Sequence, residues 1–149
     1  MFISDQDLTD IIQYRSDKGA ISLYIFSPFD ETDKSFHMKM NSIGDSVRRE
    51  SEKFENREIR FAARHFETLK EQIVEHFTGC KAKTYCLFFS PDFFKFVEVP
   101  ARLRECLVIE KNFHTLPLIT ILGQFKRYGV LVFDSRNARL FNYYAGKIK

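Results

Sequence analysis

Apolar residues recur along this chain in two periods, and each change of period marks a change of element. After Ser4, the spacing of Leu8, Ile11 and Ile12 predicts a helix. Ser4 is suited to cap it, and Asp5 and Asp7 sit where the positive end of a helix favours acids. SDKG (16–19) is the expected stop. AISLYIF (20–26) is apolar at nearly every position, which predicts a strand covered on both faces and therefore central in its sheet. SPFDETDKS (27–35) is a polar loop. From Phe36 to Phe77 the period is helical: Phe36, Met40, Ile43, Val47 and Phe54, then Ile59, Ala62, Ala63, Phe66, Leu69, Ile73 and Phe77. A change near Glu55–Asn56 predicts two antiparallel helices, with one long helix as the alternative. Phe36, Met38 and Met40 read as a core stripe, and the mixed charges of 48–58 as a solvated face.

Thr78–Gly79 ends the helical region. TYCLFFS (84–90) is a second apolar strand, Pro91–Asp92 turns it, and FFKFVEVP (93–100) alternates as a third. A fourth lies within ARLRECLVIE (101–110), from Glu105 onward. Thr115 then caps a short helix with Pro117 in its first turn, and Gly123 ends it. YGVLVFD (128–134) and ARLFNYYAG (138–146), separated by SRN, predict a β-hairpin. The order of elements places the chain in the α/β class, with α+β as the open alternative. A mixed sheet of about four to six strands with a helical hairpin and short helices is expected. A boundary near GQFKR (123–127) divides residues 1–125 from 126–149.

Composition changes this picture in three places. There are 17 Phe and no Trp, a surplus that fills cores and leaves apolar surface for a neighbour. The net charge of +3 combines −4 over residues 1–75 (11 Lys+Arg, 15 Asp+Glu) with +7 over 76–149 (12 and 5). The basic half suits an anionic partner such as RNA, or is an ordinary solvated face. Cys80, Cys86 and Cys106 lack metal or CxxC spacing and lie beside apolar residues, which reads as reduced, buried thiols. No signal peptide or apolar run long enough for a membrane span is present, so a cytoplasmic chain with no membrane contact is expected.

Candidate chemistry is sparse. There is no P-loop, GxGxxG or HExxH, and His37, His65, His76 and His114 have no zinc-ligand spacing. No catalytic residue, metal or cofactor is expected. Asp134, at a strand end before a turn, reads as a turn initiator. The stretch of most interest is RLRECLVIEKNFH (102–114), where Arg102, Arg104, Lys111 and His114 surround a strand that ends on Phe113. Basic side chains beside an aromatic can hold phosphate and stack a base, and a core Phe with a basic rim is the alternative. Arg127, Arg136 and Arg139 form a second basic group around the hairpin.

At these residues the chain resembles a known family. KNFHT (111–115), the helix 115–122 and the hairpin VLVFDSRNARLF resemble the junction between the first two domains of archaeal and eukaryotic class 1 peptide-chain release factors. ISLYIF, the helical pair and LFFSPDFFKFVEVP are more similar still to bacterial relatives of those factors. The resemblance implies a fragment: an N-terminal domain followed by the opening hairpin of a second domain. In the family that second domain carries a GGQ tripeptide promoting peptidyl-tRNA hydrolysis; none exists here. The NIKS tetrapeptide of stop-codon readers is also absent. Of their YxCxxxF pattern only Phe113 matches, with Leu107 and Ile109 at the other two positions.

The expectation is therefore a non-catalytic domain that positions a larger protein on a ribosome or tRNA, in termination, rescue or quality control, without decoding. Lys95, Arg102, Arg104, Lys111, Phe113, His114 and Arg127 are the expected nucleic-acid contacts. The missing C-terminal domains are further partners, and a homodimer through the hairpin or exposed Phe residues is compatible. Two other readings stand: a protein-interaction or scaffold domain that binds no nucleic acid, and part of a hydrolase whose catalytic residues lie beyond residue 149.

Overall fold

The computed structural model describes residues 3–28, 32–55, 57–75, 83–144 and 147–148. The chain forms two compact units, Met1–Thr115 and Leu116–Lys149.

In the first unit, helix α1 (Asp5–Gln13) starts where the Ser4 hydroxyl accepts the Asp7 backbone N–H at 3.0 Å, with both acids in the first turn. Strand β1 (Arg15–Ser27) follows after Tyr14 and takes in the expected SDKG stop. The reason is a bulge. Arg15 pairs with Asn112 and Ala20 with Glu110, five steps on β1 against two on its partner. Gly19, at φ +99°, supplies a backbone turn that L side chains rarely adopt.

Helices α2 (Asp33–Glu52) and α3 (Arg57–Glu75) form the two-helix alternative. Thr32 caps α2 by accepting the Ser35 N–H at 3.2 Å, so the helix begins ahead of its first apolar residue. Lys70 reaches Asn41 at 2.9 Å and Arg60 reaches the Glu52 carbonyl at 3.3 Å. The index falls on α2 as it rises on α3, so the pair is antiparallel. A Cβ at Gly44 would lie 2.7 Å from Glu67 Oε1, the mobile end of an exposed side chain of α3. Phe36 and Met40 are buried as expected, but Met38 is 57% exposed, because two residues along a helix turn a side chain to the far side.

Strands β2 (Lys83–Ser90), β3 (Phe93–Val99) and β4 (Cys106–Asn112) complete a four-stranded sheet in the order β3-β2-β1-β4. β1 is central, as its apolar run predicts. Every pairing in it is antiparallel, so the fold takes the α+β form of the expected mixed helix-and-strand class. One face carries Ile21, Leu23, Ile25, Tyr85, Leu87 and Phe89, packed against Phe36, Met40, Val47, Ile59, Phe66, Leu69 and Ile73 of the helices. Burying each large side chain contributes about 1.5–3 kcal/mol. An exposed ion pair such as Arg48–Asp45 is worth about 0–1 kcal/mol. The apolar stripe therefore holds the helices to the sheet.

The second unit contains α4 (Leu116–Gln124), β5 (Arg127–Phe133), β6 (Ala138–Tyr144) and the short β7 (Lys147–Ile148). The three strands form a sheet of their own in the order β5-β6-β7. Asp134 initiates the hairpin turn as expected, accepting N–H bonds from Arg136 at 2.7 Å and Asn137 at 2.8 Å. Those two bonds hold its carboxyl below the usual carboxylate range. Both hairpin faces are apolar and exposed: Val130 and Val132 on one, Leu131 and Phe133 on the other, with Phe133 73% exposed.

Candidate nucleic-acid interface

The sequence places its basic residues in one stretch, 102–114, but β4 spreads them along an edge of the sheet. Arg102 and Arg104 lie in the loop before β4, and Lys111 lies near its far end. Five strand steps from Cys106 to Lys111, at about 3.4 Å each, carry Lys111 roughly 17 Å along the edge from the loop that bears Arg104. The basic residues are thus spread along an edge that also carries the exposed acids Glu105 and Glu110.

At the loop end, Arg102 stacks over the Phe26 ring at 5.2 Å. Glu105 is turned away from both arginines: its carboxylate accepts the Phe26 backbone N–H at 3.1 Å and lies 3.8 Å from Lys39 Nζ. Arg102 and Arg104 are both exposed, and neither forms an ion pair among the described residues. The loop itself is pinned by Thr84, whose hydroxyl donates to the Ala101 carbonyl at 2.7 Å and accepts the Leu103 N–H at 2.9 Å.

At the other end, Lys111 pairs with Asp17 of the β1 bulge at 3.2 Å, both highly exposed. The two border a cleft of about 550 Å³ with Ile59 and Ile109 at its floor and Lys18 and Phe54 at its rim. Phe113 turns inward. Its ring is 6% exposed and packs 4.7 Å from Tyr14, 5.1 Å from Phe93 and 5.5 Å from Phe88. The following residue is clamped through its backbone. The His114 N–H donates to Ser22 Oγ at 2.8 Å, and its carbonyl accepts the Tyr24 hydroxyl at 2.6 Å. The turn after β4 thus closes over the sheet face opposite the helical pair, and Phe113 acts as its anchor.

Lys95, on β3, lies at the opposite edge of the sheet from β4 and is held by the Asp7 carboxylate of α1. That bond lowers the Asp7 pKa and raises that of Lys95. Asp7 therefore stabilises the fold above its ordinary value of 3.8, and the contribution is lost as pH falls through the lower folded value. Asp7→Asn should make the acid limb of the unfolding midpoint shallower, measured by urea titration from neutral pH downward. Arg127 belongs to the second unit, where it lies over the Tyr144 ring at 5.1 Å.

The sequence misses the supports of this arrangement. Tyr14 bonds Ser90 and, at 2.6 Å, Asp92, fixing α1 to the β2–β3 turn. Burial and the Asp92 carboxylate push the Tyr14 hydroxyl up in pKa. Ser22 and Tyr24 sit within an apolar run that signals only a strand. No local pattern announces contacts to residues about ninety positions away.

The remaining expected groups give no chemistry. Burial pushes the Cys86 thiol far up in pKa and Cys106 shifts the same way, so both favour the unreactive thiol form. Cys80, His76 and the side chain of His65 lie outside the described residues. Among the described residues no group of His, Cys, Asp or Glu could hold a metal ion, and no helix is long and apolar enough to cross a membrane.

A four-stranded antiparallel sheet backed by an antiparallel helical pair, followed by a separate hairpin unit, defines an α+β architecture. An archaeal translation termination factor, aRF1, is similar to the chain with a TM-score of 0.50 and 12% identity, over 99% of this chain and 43% of that one. A structure described as an archaeal protein matches with a TM-score of 0.49 and 12% identity, over 99% and 44%. The chain thus spans less than half the length of these structures. No family model matches the sequence, and no curated protein matches it.

Proposed function

We propose that residues 1–149 form a non-catalytic N-terminal region of a release-factor-like protein. It positions the larger protein on a ribosome or tRNA, in termination, rescue or quality control, without decoding a stop codon. The observation that carries this reading is the fold likeness to a translation termination factor over 99% of the chain. Fold alone does not determine function, so the contacts must be argued from the surface.

Arg102 and Arg104 are exposed, without ion pairs among the described residues, and mounted on a loop pinned by Thr84. They are the leading phosphate contacts. Lys111 extends the line along β4, while Lys95, at the opposite sheet edge, and Arg127, in the second unit, serve as separate contacts. Phe113 and His114 act by shaping the turn beside Lys111. The boundary to a second domain is placed after α4, near residue 125, which lies inside the second compact unit and about ten residues past its start at Leu116. The exposed apolar faces of the hairpin support that division.

Arg102→Glu with Arg104→Glu should weaken ribosome co-sedimentation at low salt by at least about tenfold. The slope of log affinity against log salt should fall by roughly 1.4–1.8, for two lost phosphate contacts. Unchanged binding at low salt would overturn the reading. The exposed hairpin also favours a second reading, a protein-docking module. Full-length chain bound to a protein partner, with no measurable affinity for ribosomes or tRNA, would support it instead.

A further inference from the structure

The outer side of the helical pair reads from sequence as a solvated face of mixed charge. It contains a cleft of about 210 Å³, lined by Arg48, Ser51, Glu52, Arg60, Ala63, Arg64 and Glu67. Three arginines from facing helices line one concavity, and they differ in the partners they hold.

Arg48 is paired with Asp45 at 2.5 Å, and Glu67 with Lys70 at 2.6 Å. These ion pairs account for one arginine and one of the two lining acids. Arg60 is fixed in a different way. Its Nε donates to the Phe54 carbonyl at 3.1 Å and a terminal nitrogen donates to the Glu52 carbonyl at 3.3 Å. Both acceptors are carbonyls at the C-terminal end of α2, whose partial negative charge favours a cation, so the guanidinium is held in place with other N–H groups still available. Arg64, one turn further along α3, is exposed and makes no ion pair among the described residues. Among the described residues lining the cleft, Glu52 is the acid that forms no ion pair of its own, while Glu67 is shared with Lys70. A planar cation fixed at the end of α2, with a second one turn away, fits the bidentate recognition of a phosphate oxyanion.

The geometry points to a phosphate-binding site between α2 and α3, built on Arg60 and Arg64, whose ligand is a phosphodiester of an RNA backbone. The assignment of the phosphate to RNA rests on the function proposed above; the anion site itself does not. Glu52 acts as the opposing charge that keeps binding weak and salt-sensitive. This site is separate from the Arg102–Lys111 line, so the protein would grip an RNA at two places.

The test uses the full chain, a short fluorescein-labelled oligouridylate followed by anisotropy at low salt, and inorganic phosphate followed by amide NMR shifts. Arg64 is exposed and makes no hydrogen bond or ion pair among the described residues, so Arg64→Glu should fold normally, as checked by far-UV circular dichroism. It should weaken RNA binding about tenfold and lower the salt slope by about 0.7, the increment for one single-strand phosphate contact. Glu52→Gln should tighten binding about two- to threefold by removing the opposing charge. Inorganic phosphate should shift amides around residues 48–67 in the wild type and not in Arg64→Glu. Phosphate shifts with RNA affinity indifferent to Arg64→Glu would overturn the assignment to RNA. No effect of either variant on either probe would overturn the site. Ribosome binding lost in the Arg102/Arg104 double variant but intact in Arg64→Glu would also overturn the RNA assignment, while leaving the proposed function standing. Ribosome binding absent from the wild type would overturn that function, whatever the phosphate titration shows.

Discussion

Phe113→Ala is expected to destabilise the first unit by about 3–5 kcal/mol, the usual cost of removing a buried aromatic side chain. Against a typical domain stability of about 5–15 kcal/mol, that is a large fraction. The ring is packed on three sides by Tyr14, Phe88 and Phe93, so these neighbours cannot close the void without moving α1 or a strand. Tyr14 would lose its stacked partner, at 4.7 Å and 24° between planes, and with it the alignment of its bonds to Ser90 and Asp92. Urea unfolding followed by circular dichroism measures the loss, since the chain has no Trp. Phe113→Leu restores most of the volume and should cost under about 1.5 kcal/mol. The leucine variant also separates two roles. A ring that is 6% exposed offers no face to a base, so Phe113→Leu should keep its ribosome affinity. Affinity lost at near-native stability would show that the ring stacks on RNA after all.

Local signals in the sequence report local structure well here. Ser4, the run 20–26, the break near residue 55 and the SRN turn each appear where a cap, a central strand, a helix break and a hairpin turn are found. In each of these cases the physics acts over a few residues. The candidate site fails to be legible for the opposite reason. The cluster 102–114 is compact in sequence because it is contiguous, and a strand then stretches it to roughly 17 Å. What decides the availability of each charge lies elsewhere in the chain. Asp7 occupies Lys95 across 88 positions, and Asp17 occupies Lys111 across 94. Glu105 is a sequence neighbour of Arg104, yet it serves Phe26 and Lys39. Phe113 follows the same logic. Beside basic residues it suggests stacking, while the aromatic surplus that would bury it is distributed over α1, β2 and β3. Arg60 and Arg64 lie in a charge run that looks uniformly solvated until the antiparallel pairing of α2 and α3 brings Arg48 alongside them.

Gly19→Ala should cost about 2–5 kcal/mol, from two sources that can be measured apart. At φ +99° an L residue carries a backbone penalty of roughly 1–2 kcal/mol. The added Cβ would also lie 2.6 Å from Ile59 Cδ1, and Ile59 is 1% exposed, with no solvent to move into. Displacing it means repacking the α3 end of the core at about 1–3 kcal/mol. Ile59→Val removes the clashing methyl and by itself costs about 0.5–1.5 kcal/mol. In the double variant the worst contact is gone, a tighter-than-usual approach of 3.2 Å to Cγ1 and the backbone part remain, and the two changes should couple favourably by about 1 kcal/mol in urea unfolding. Strict additivity would show that Ile59 yields at no cost and that backbone strain is the entire effect. The same residue links the core to the edge that carries Lys111. Gly19 ends the bulge that carries Asp17 to Lys111, so a relaxed bulge releases that lysine. Gly19→Ala, assayed where it is still folded, should therefore change ribosome affinity less than it changes stability. The ion pair it loosens is exposed and contributes about 0–1 kcal/mol.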